Sequence, residues 1–194
     1  AEKHGNVEIN VSGGGSGTGI KALIDGTADI ANASRGIKDE EKQLAADNGI
    51  EAVEHVVAYD GIAPVVNPAN SVDSLSIEQL SDIFSGEVTN WSDVGGSDGE
   101  IVIVSRDSSS GTYESWKDMV VTMDGEDESR DFAPSALKEG SNEAVRATVA
   151  KTENAIGYIG LGYMDESVQS VSVSPMGGGD AVEATSENVQ NGTF

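Results

Sequence analysis

The sequence contains no cysteine and only two histidines, His4 and His55. Disulfide bonds and thiolate chemistry are therefore excluded, and so is a histidine-rich zinc centre. Basic residues are scarce, with 11 lysines and arginines in 194 residues, and they form no basic stripe of the kind that binds nucleic acid. No apolar run approaches the ~20 residues needed to cross a bilayer, and the first ten residues have neither the basic nor the apolar region of a signal peptide.

Acidic residues, in contrast, are abundant. The chain has 34 aspartates and glutamates, which give a formal net charge of −23 at pH 7. They are dispersed along the chain rather than gathered in one tail, which favours a surface adapted to molar salt over an acidic interaction surface. Glycine supplies 24 residues, so we expect several loops lined by exposed backbone.

Strand-like and helix-like segments alternate along the chain. Alternating or short apolar segments predict strands at 7–11, 28–34, 101–105 and 168–174, one or two strands within 50–68, and a strand followed by a turn at 155–164. Helices are predicted at 20–26, 38–49, 113–123, 142–151 and 185–192, and a further helix from the capping box of Ser76 and Gln79 to Gly86. This order predicts an α/β fold with mainly parallel sheets.

Two polar loops carry most of the chemical information. GGGSGTG follows the first predicted strand, RDSSSGT follows the strand IVIVS, and each leads into a helix. Such a loop directs backbone N–H groups and the positive end of a helix dipole at one point. The hydroxyls of Ser16, Thr18, Ser110 and Thr112 and the guanidinium of Arg106 are suited to an oxyanion. Two loops of this kind favour anion binding over ordinary turns.

Motifs for other chemistries are not matched. The first loop breaks the P-loop pattern, because Ile20 stands where the motif needs lysine, and no acidic residue completes a dinucleotide fingerprint. SSSGT lacks the leading glycine of a nucleophile elbow. Asp29, Asp60 and Asp107 could meet at a metal, but their loops do not have EF-hand spacing. We therefore predict no catalytic residues and no metal site.

Four segments, taken in order, resemble a known family. VSGGGSGTGIKALIDGTADIANASRGIKDEE, AYDGIAPVVNPANSVDSLSIEQLSDIFSGEVTNW, SRDSSSGTYESW and NAIGYIGLGYM are similar to segments of the phosphate-binding proteins of bacterial and archaeal ABC transporters. The resemblance extends from about residue 7 to residue 194. It implies a two-lobed type II periplasmic-binding-protein fold that binds hydrogen phosphate in its cleft and delivers it to a membrane permease.

The resemblance also implies a set of phosphate ligands. In the first loop, Ser16 is expected to contact a phosphate oxygen. In the second loop, Arg106 is expected to act as a bidentate cation, while Ser110, Gly111 and Thr112 supply hydroxyls and backbone N–H groups.

One expected ligand differs from the best-studied branch of the family. The aspartate that accepts the phosphate proton there is replaced here by Ser34, followed by Arg35, which is expected to be a second cation. Either another carboxylate accepts the proton or none does. Asp60 is the first alternative and Asp107 the second, because each is placed at a strand end.

For the domain organisation, we expect lobe one to comprise residues 1–66 and 165–194 and lobe two residues 67–164. Segments that the family has at both termini are missing from this chain, which leaves open whether lobe one is complete. We expect an extracellular or cell-surface monomer, tethered to the membrane through a segment absent from this chain, that captures inorganic phosphate for an ABC importer without a cofactor and without binding nucleic acid. Two alternatives remain: a binding protein of the same fold for another oxyanion, and a phosphatase on the same scaffold.

Overall fold

The computed structural model describes residues 7–13 and 15–194 of the chain. Its helices are α1 (Ser16–Ile24), α2 (Asp39–Asp47), α3 (Ile77–Ser85), α4 (Gly111–Trp116), α5 (Asn142–Lys151) and α6 (Ser186–Asn191). Its strands are β1 (Ile62–Val66), β2 (Ser74–Ser76), β3 (Val102–Arg106), β4 (Leu137–Glu139), β5 (Ala155–Gly160), β6 (Gln169–Ser170) and β7 (Ser172–Ser174). A π-helical turn (Lys117–Val121) extends α4, and 3-10 turns lie at Trp91–Val94 and Leu161–Tyr163. Among the described residues, no helix combines the length and apolar character needed to span a membrane.

The larger sheet has the strand order β4-β3-β5-β1-β6, and β2 pairs with β7 in a smaller parallel sheet. Strand β3 runs parallel to both β4 and β5, whereas β1 runs antiparallel to β5 and β6. The fold is therefore α/β as predicted, with a mixed large sheet. Because Arg106 is in register with Glu139, the carboxyl ends of β3 and β4 lie at one edge, and α4 and α5 both begin there.

Apolar side chains cover both faces of the large sheet. Neighbouring residues of one strand belong to different clusters: Val66 packs with α3 residues such as Phe84, whereas Val65 packs with Val145 and Val149 of α5. All six residues of β5 are buried. A strand covered on both faces consists of a continuous apolar run, so the prediction from IVIVS that this sheet is doubly covered is confirmed.

A third, smaller cluster belongs to the first part of the chain. Ile20 and Ile24 of α1 pack with Ala45 of α2 and with the partly buried Ile37 and Ile50. The predicted lobe division places β1 in lobe one, yet β1 pairs with β5 of predicted lobe two. The division into lobes stays a prediction.

Two predicted strands are wrong, because residues 7–11 and 28–34 belong to no strand. Within 50–68, where one or two strands are predicted, β1 forms. In the two segments that form no strand, Val11 is 86% and Ile30 82% accessible. Alternation marks a segment that can pair, but a strand also needs a neighbour for its backbone N–H and C=O groups. Within the described ranges, these segments have none.

Helix α1 begins at Ser16, four residues before the predicted start at residue 20, so the end of the first polar loop is helical. Other helix boundaries follow the sequence signals more closely. Ser76 accepts a hydrogen bond from the Gln79 backbone N–H, and the Gln79 side chain accepts one from the Ser76 backbone N–H, which completes the predicted capping box. The same helix ends at Gly86, whose φ of +85° is the left-handed conformation that glycine adopts without strain. The Ser141 hydroxyl caps α5 and the Thr185 hydroxyl caps α6, because each accepts the backbone N–H three residues further on.

Candidate anion-binding site

A cleft of about 660 Å³ lies where the start of α1, the β3–α4 loop and the β4–α5 turn come together. Six of the eight predicted site residues line it, namely Ser16, Ser34, Arg106, Ser110, Gly111 and Thr112. Asp107, Gly140 and Asn142 line it as well. The structure thus brings the two polar loops of the sequence to one place.

Three helices begin at this cleft. Helix α1 begins at Ser16, α4 at Gly111 and α5 at Asn142, and each of these residues lines the cleft. The first backbone N–H groups of a helix lack partners within the helix and carry the positive end of its dipole. The Ser110 hydroxyl accepts only the Tyr113 N–H, at 3.4 Å, among the described residues. The backbone N–H groups at the three helix starts therefore favour a negatively charged ligand.

Arg106, at the end of β3, is the cation of the cleft. It is only 8% exposed, and its Nη1 and Nη2 donate to Asn142 Oδ1 at 3.0 Å and to the Gly140 carbonyl at 3.3 Å. Its Nε is buried and has no hydrogen-bond partner among the described residues. The other three arginines of the sequence all pair with carboxylates, whereas Arg106 pairs only with neutral oxygens within the described part of the chain. A buried cation without a carboxylate is matched best by an anion.

Tyr158 supports Arg106 from the sheet. Its hydroxyl accepts the Arg106 backbone N–H at 3.2 Å and lies 2.8 Å from the Ser105 hydroxyl. Burial raises the pKa of Tyr158 to about 12, so the phenol is neutral at physiological pH and adds no negative charge beside the cleft. No sequence motif indicated Tyr158, Gly140 or Asn142 as site residues; the only signal for the last two was their position at the start of a capped helix.

Glycine is required where the two loops touch. The Ser16 hydroxyl accepts the Ser34 backbone N–H at 3.1 Å, and the two serine hydroxyls lie 3.3 Å apart. A Cβ on Gly111 would overlap both hydroxyls, and a Cβ on Gly15 would overlap the Ser109 carbonyl. The approach of one loop to the other therefore depends on the absence of side chains at these two positions.

Arg35 does not line the cleft, which corrects the prediction that it is a second phosphate cation. Its Nη1 and Nη2 donate to the two Glu41 carboxylate oxygens at 2.8 and 2.9 Å, and its Nε donates to Glu114. These bonds raise the pKa of Arg35 above its usual range and lower that of Glu41 to about 2. Two carboxylates hold the guanidinium, so Arg35 links α2 to α4 instead.

The two candidate proton acceptors are placed differently. Asp60 is exposed, lies beside Gly160 and does not line the cleft. Asp107 lines the cleft, and its Oδ1 accepts the Ser109 hydroxyl at 2.7 Å and backbone N–H at 2.9 Å. These bonds lower the pKa of Asp107, which keeps the carboxylate ionised. Its Oδ2 makes no hydrogen bond to the described residues, so the geometry favours the second candidate over the first.

The described residues contain no group of three or more histidine, cysteine, aspartate or glutamate side chains arranged to hold a metal ion. The chemistry available at the cleft is thus that of hydroxyls, backbone N–H groups, side-chain amides, one guanidinium and one ionised carboxylate. This combination can bind a tetrahedral oxyanion from several sides, and a carboxylate can accept a proton that such an anion carries.

Comparison with known proteins gives consistent matches over the whole chain. Residues 1–193 match the family model described as a PBP superfamily domain. The phosphate-binding protein PstS of Staphylococcus epidermidis is 34% identical over 200 residues; the match covers 100% of this chain and 59% of that protein. The chain therefore spans less than two thirds of that relative's length.

Two solved structures are similar in fold and sequence. One is a putative phosphate ABC transporter substrate-binding protein from Clostridium perfringens with bound phosphate, with a TM-score of 0.81 and 38% identity over 100% of this chain and 72% of that one. The other is an ABC-type phosphate transport receptor from Vibrio cholerae, with a TM-score of 0.77 and 35% identity over 100% of this chain and 73% of that one.

Proposed function

The chain belongs to the PBP superfamily, among the phosphate-binding proteins of ABC transporters, and from this premise we propose that it captures inorganic phosphate outside the cytoplasm for an ABC importer. The capture is non-catalytic: the anion is bound, carried and released to a membrane permease unchanged. The observation that carries the proposal is the buried guanidinium of Arg106 in a cleft at the start of three helices. Within the described part of the chain, its Nε has no partner and its other nitrogens bond only neutral oxygens.

In the proposed complex, donors surround the phosphate. The hydroxyls of Ser16, Ser110 and Thr112 and the backbone N–H groups at the start of α4 bind phosphate oxygens, and Arg106 supplies the compensating charge. Asp107 accepts a hydrogen bond from the protonated oxygen of hydrogen phosphate through Oδ2, which has no other hydrogen bond to the described residues. An ionised acceptor favours an anion with a proton to donate and disfavours sulfate, which has none at neutral pH.

The proposal includes the lobes and the partners. Residues 1–66 with 165–194 and residues 67–164 form the two lobes, and phosphate binds between loops that come from both. The protein acts as a monomer at the cell surface, tethered through a segment outside this chain, and it takes no nucleic acid partner. The contacts of Ser16 and Gly111 across the cleft support this arrangement, because they join one predicted lobe to the other.

Isothermal titration calorimetry in molar KCl tests the proposal. The wild-type protein is expected to bind phosphate more tightly than sulfate, molybdate or tungstate. The Arg106→Ala variant loses charged hydrogen bonds, each worth about 1.5–3 kcal/mol, so phosphate affinity should fall about 10- to 150-fold. Arg130→Ala is the control, because Arg130 pairs with Asp82 and Asp127 and does not line the cleft.

Three results would contradict the proposal. Equal losses in the Arg106 and Arg130 variants would show that the cleft is not the binding site. Tighter binding of another oxyanion than of phosphate would support the alternative of a binding protein for that anion. Hydrolysis of a phosphate ester by the wild-type protein with Mg²⁺ or Zn²⁺ would support the phosphatase alternative.

A further inference from the structure

Asn142 is the first residue of α5, and its side chain lines the cleft next to Arg106. We propose that Asn142 is itself a ligand of the bound oxyanion and donates a hydrogen bond to it from Nδ2. This inference rests on the proposed function, since it names one more donor in the same cleft. It adds a residue for which the sequence showed no binding motif.

The orientation of the amide follows from its neighbours. The oxygen Oδ1 accepts Arg106 Nη1 at 3.0 Å and the Gly160 backbone N–H at 3.4 Å. Both neighbours are donors, so the end of the amide that faces them must be the oxygen. The Nδ2 end therefore faces away from both groups. It makes no hydrogen bond to any described residue, although the side chain lines the cleft.

A neutral amide at this position serves the cleft in two ways. It holds Arg106 in place without cancelling its charge, which an aspartate or glutamate would do. It also supplies a donor at the start of a ten-residue helix, where the dipole favours negative charge. The only carboxylate among the cleft-lining residues is that of Asp107. Asn142 thus explains why the guanidinium keeps an uncompensated charge.

Phosphate titration of three variants and the wild-type protein tests the assignment. Asn142→Ala removes the donor, and affinity should fall about tenfold or more. Asn142→Asp keeps both acceptor contacts but places a carboxylate oxygen where Nδ2 was, so the loss should exceed that of the alanine variant. Asn154→Ala, an exposed asparagine just beyond the other end of α5, should bind like the wild type. Thermal melting checks that each variant is folded.

A double-mutant cycle with Arg106→Ala separates direct contact from positioning. If Asn142 contacts the anion, adding Asn142→Ala to the Arg106→Ala protein should cost at least a further threefold in phosphate affinity. No further loss would overturn the proposal, because it would mean that Asn142 acts only by holding Arg106. Wild-type affinity in Asn142→Asp would overturn it as well.

The cycle also keeps the two proposals apart. A wild-type protein that binds sulfate but not phosphate would refute the proposed function, and the same cycle with sulfate would still test Asn142, because an amide donor serves both anions. A wild-type protein that binds neither anion would refute both.

Discussion

Replacing Glu41 by glutamine removes one charge from the ion pair that holds Arg35 and leaves the shape of the side chain almost unchanged. Glu41 accepts two guanidinium bonds, at 2.8 and 2.9 Å, and the Lys38 backbone N–H at 2.9 Å. The guanidinium also bonds Glu114, so the pair ties α2 to α4. We expect Glu41→Gln to lower the free energy of unfolding at pH 7.

The size of the effect follows from the Glu41 carboxyl. Its pKa is lowered from 4.5 to about 2, mainly by the hydrogen bonds from Arg35. At about 1.4 kcal/mol per pKa unit, the full shift would correspond to about 3.5 kcal/mol. Solvent screens part of this, because the Glu41 side chain remains 22% exposed, and we expect a loss of about 1–2 kcal/mol.

The pH dependence has a definite sign. A depressed folded-state pKa stabilises the protein when the unfolded-state group is ionised, which means above about 4.5, and this contribution disappears as the pH falls towards about 2. The difference in unfolding free energy between the wild type and Glu41→Gln should therefore be constant near neutrality and shrink below pH 4.5.

Urea unfolding at fixed KCl, from pH 7 down to pH 3, measures this difference. Glu40→Gln is the matched control, because it makes the same change in net charge on an adjacent, exposed residue that has no ion pair among the described residues. Equal losses in the two variants, or a difference that stays constant down to pH 3, would refute the reasoning.

Three further predictions concern the charge and the cleft. Because the net charge is −23, the melting temperature should rise as KCl increases from about 0.1 M to about 1 M. The Debye length falls from about 10 Å to about 3 Å over this range. A melting temperature that stays flat or falls would argue against salt adaptation. Asp107→Asn should narrow the phosphate-to-sulfate affinity ratio in calorimetry and Asp60→Asn should not; the reverse result would restore Asp60 as the acceptor. Gly111→Ala should weaken phosphate binding, because the new methyl group overlaps the Ser16 hydroxyl. Gly162→Ala, with open space around it, should bind phosphate normally in the same titration. Equal affinities of the two variants would disprove the contact between Gly111 and Ser16.

The sequence predicts local structure better than pairing. The helix that begins at Ser76 and ends at Gly86 has its start and stop in a few neighbouring residues, and the structure follows them. A strand depends on a partner that is distant in sequence, as β1 shows by pairing with β5 and β6. The alternating segment 7–11 has the same pattern as a strand but no described partner, so alternation alone led to a wrong prediction.

The cleft shows the same limit at the level of single residues. Arg35 follows Ser34, the last residue of a predicted strand, and Arg106 follows Ser105 at the end of β3. Nothing in the local sequence separates the roles of the two arginines. They differ in their partners: Glu41, six residues along the chain, and the distant Glu114 neutralise Arg35. Among the described residues, only Asn142 and a backbone carbonyl bond the side chain of Arg106. The two polar loops could be predicted because their glycine and hydroxyl residues are adjacent in the sequence.

The indole of Trp116 gives the protein an optical signal of its own. It lies parallel to the ring of Tyr158, with an angle of 3° between the planes and 4.8 Å between the centroids. Its Nε1 is buried and bonds none of the residues that the structure describes. The Tyr158 hydroxyl in turn accepts the backbone N–H of Arg106. One aromatic ring therefore separates the indole from the backbone of Arg106. We expect tryptophan emission to change when an anion occupies the cleft, which would report binding in molar salt and without a label.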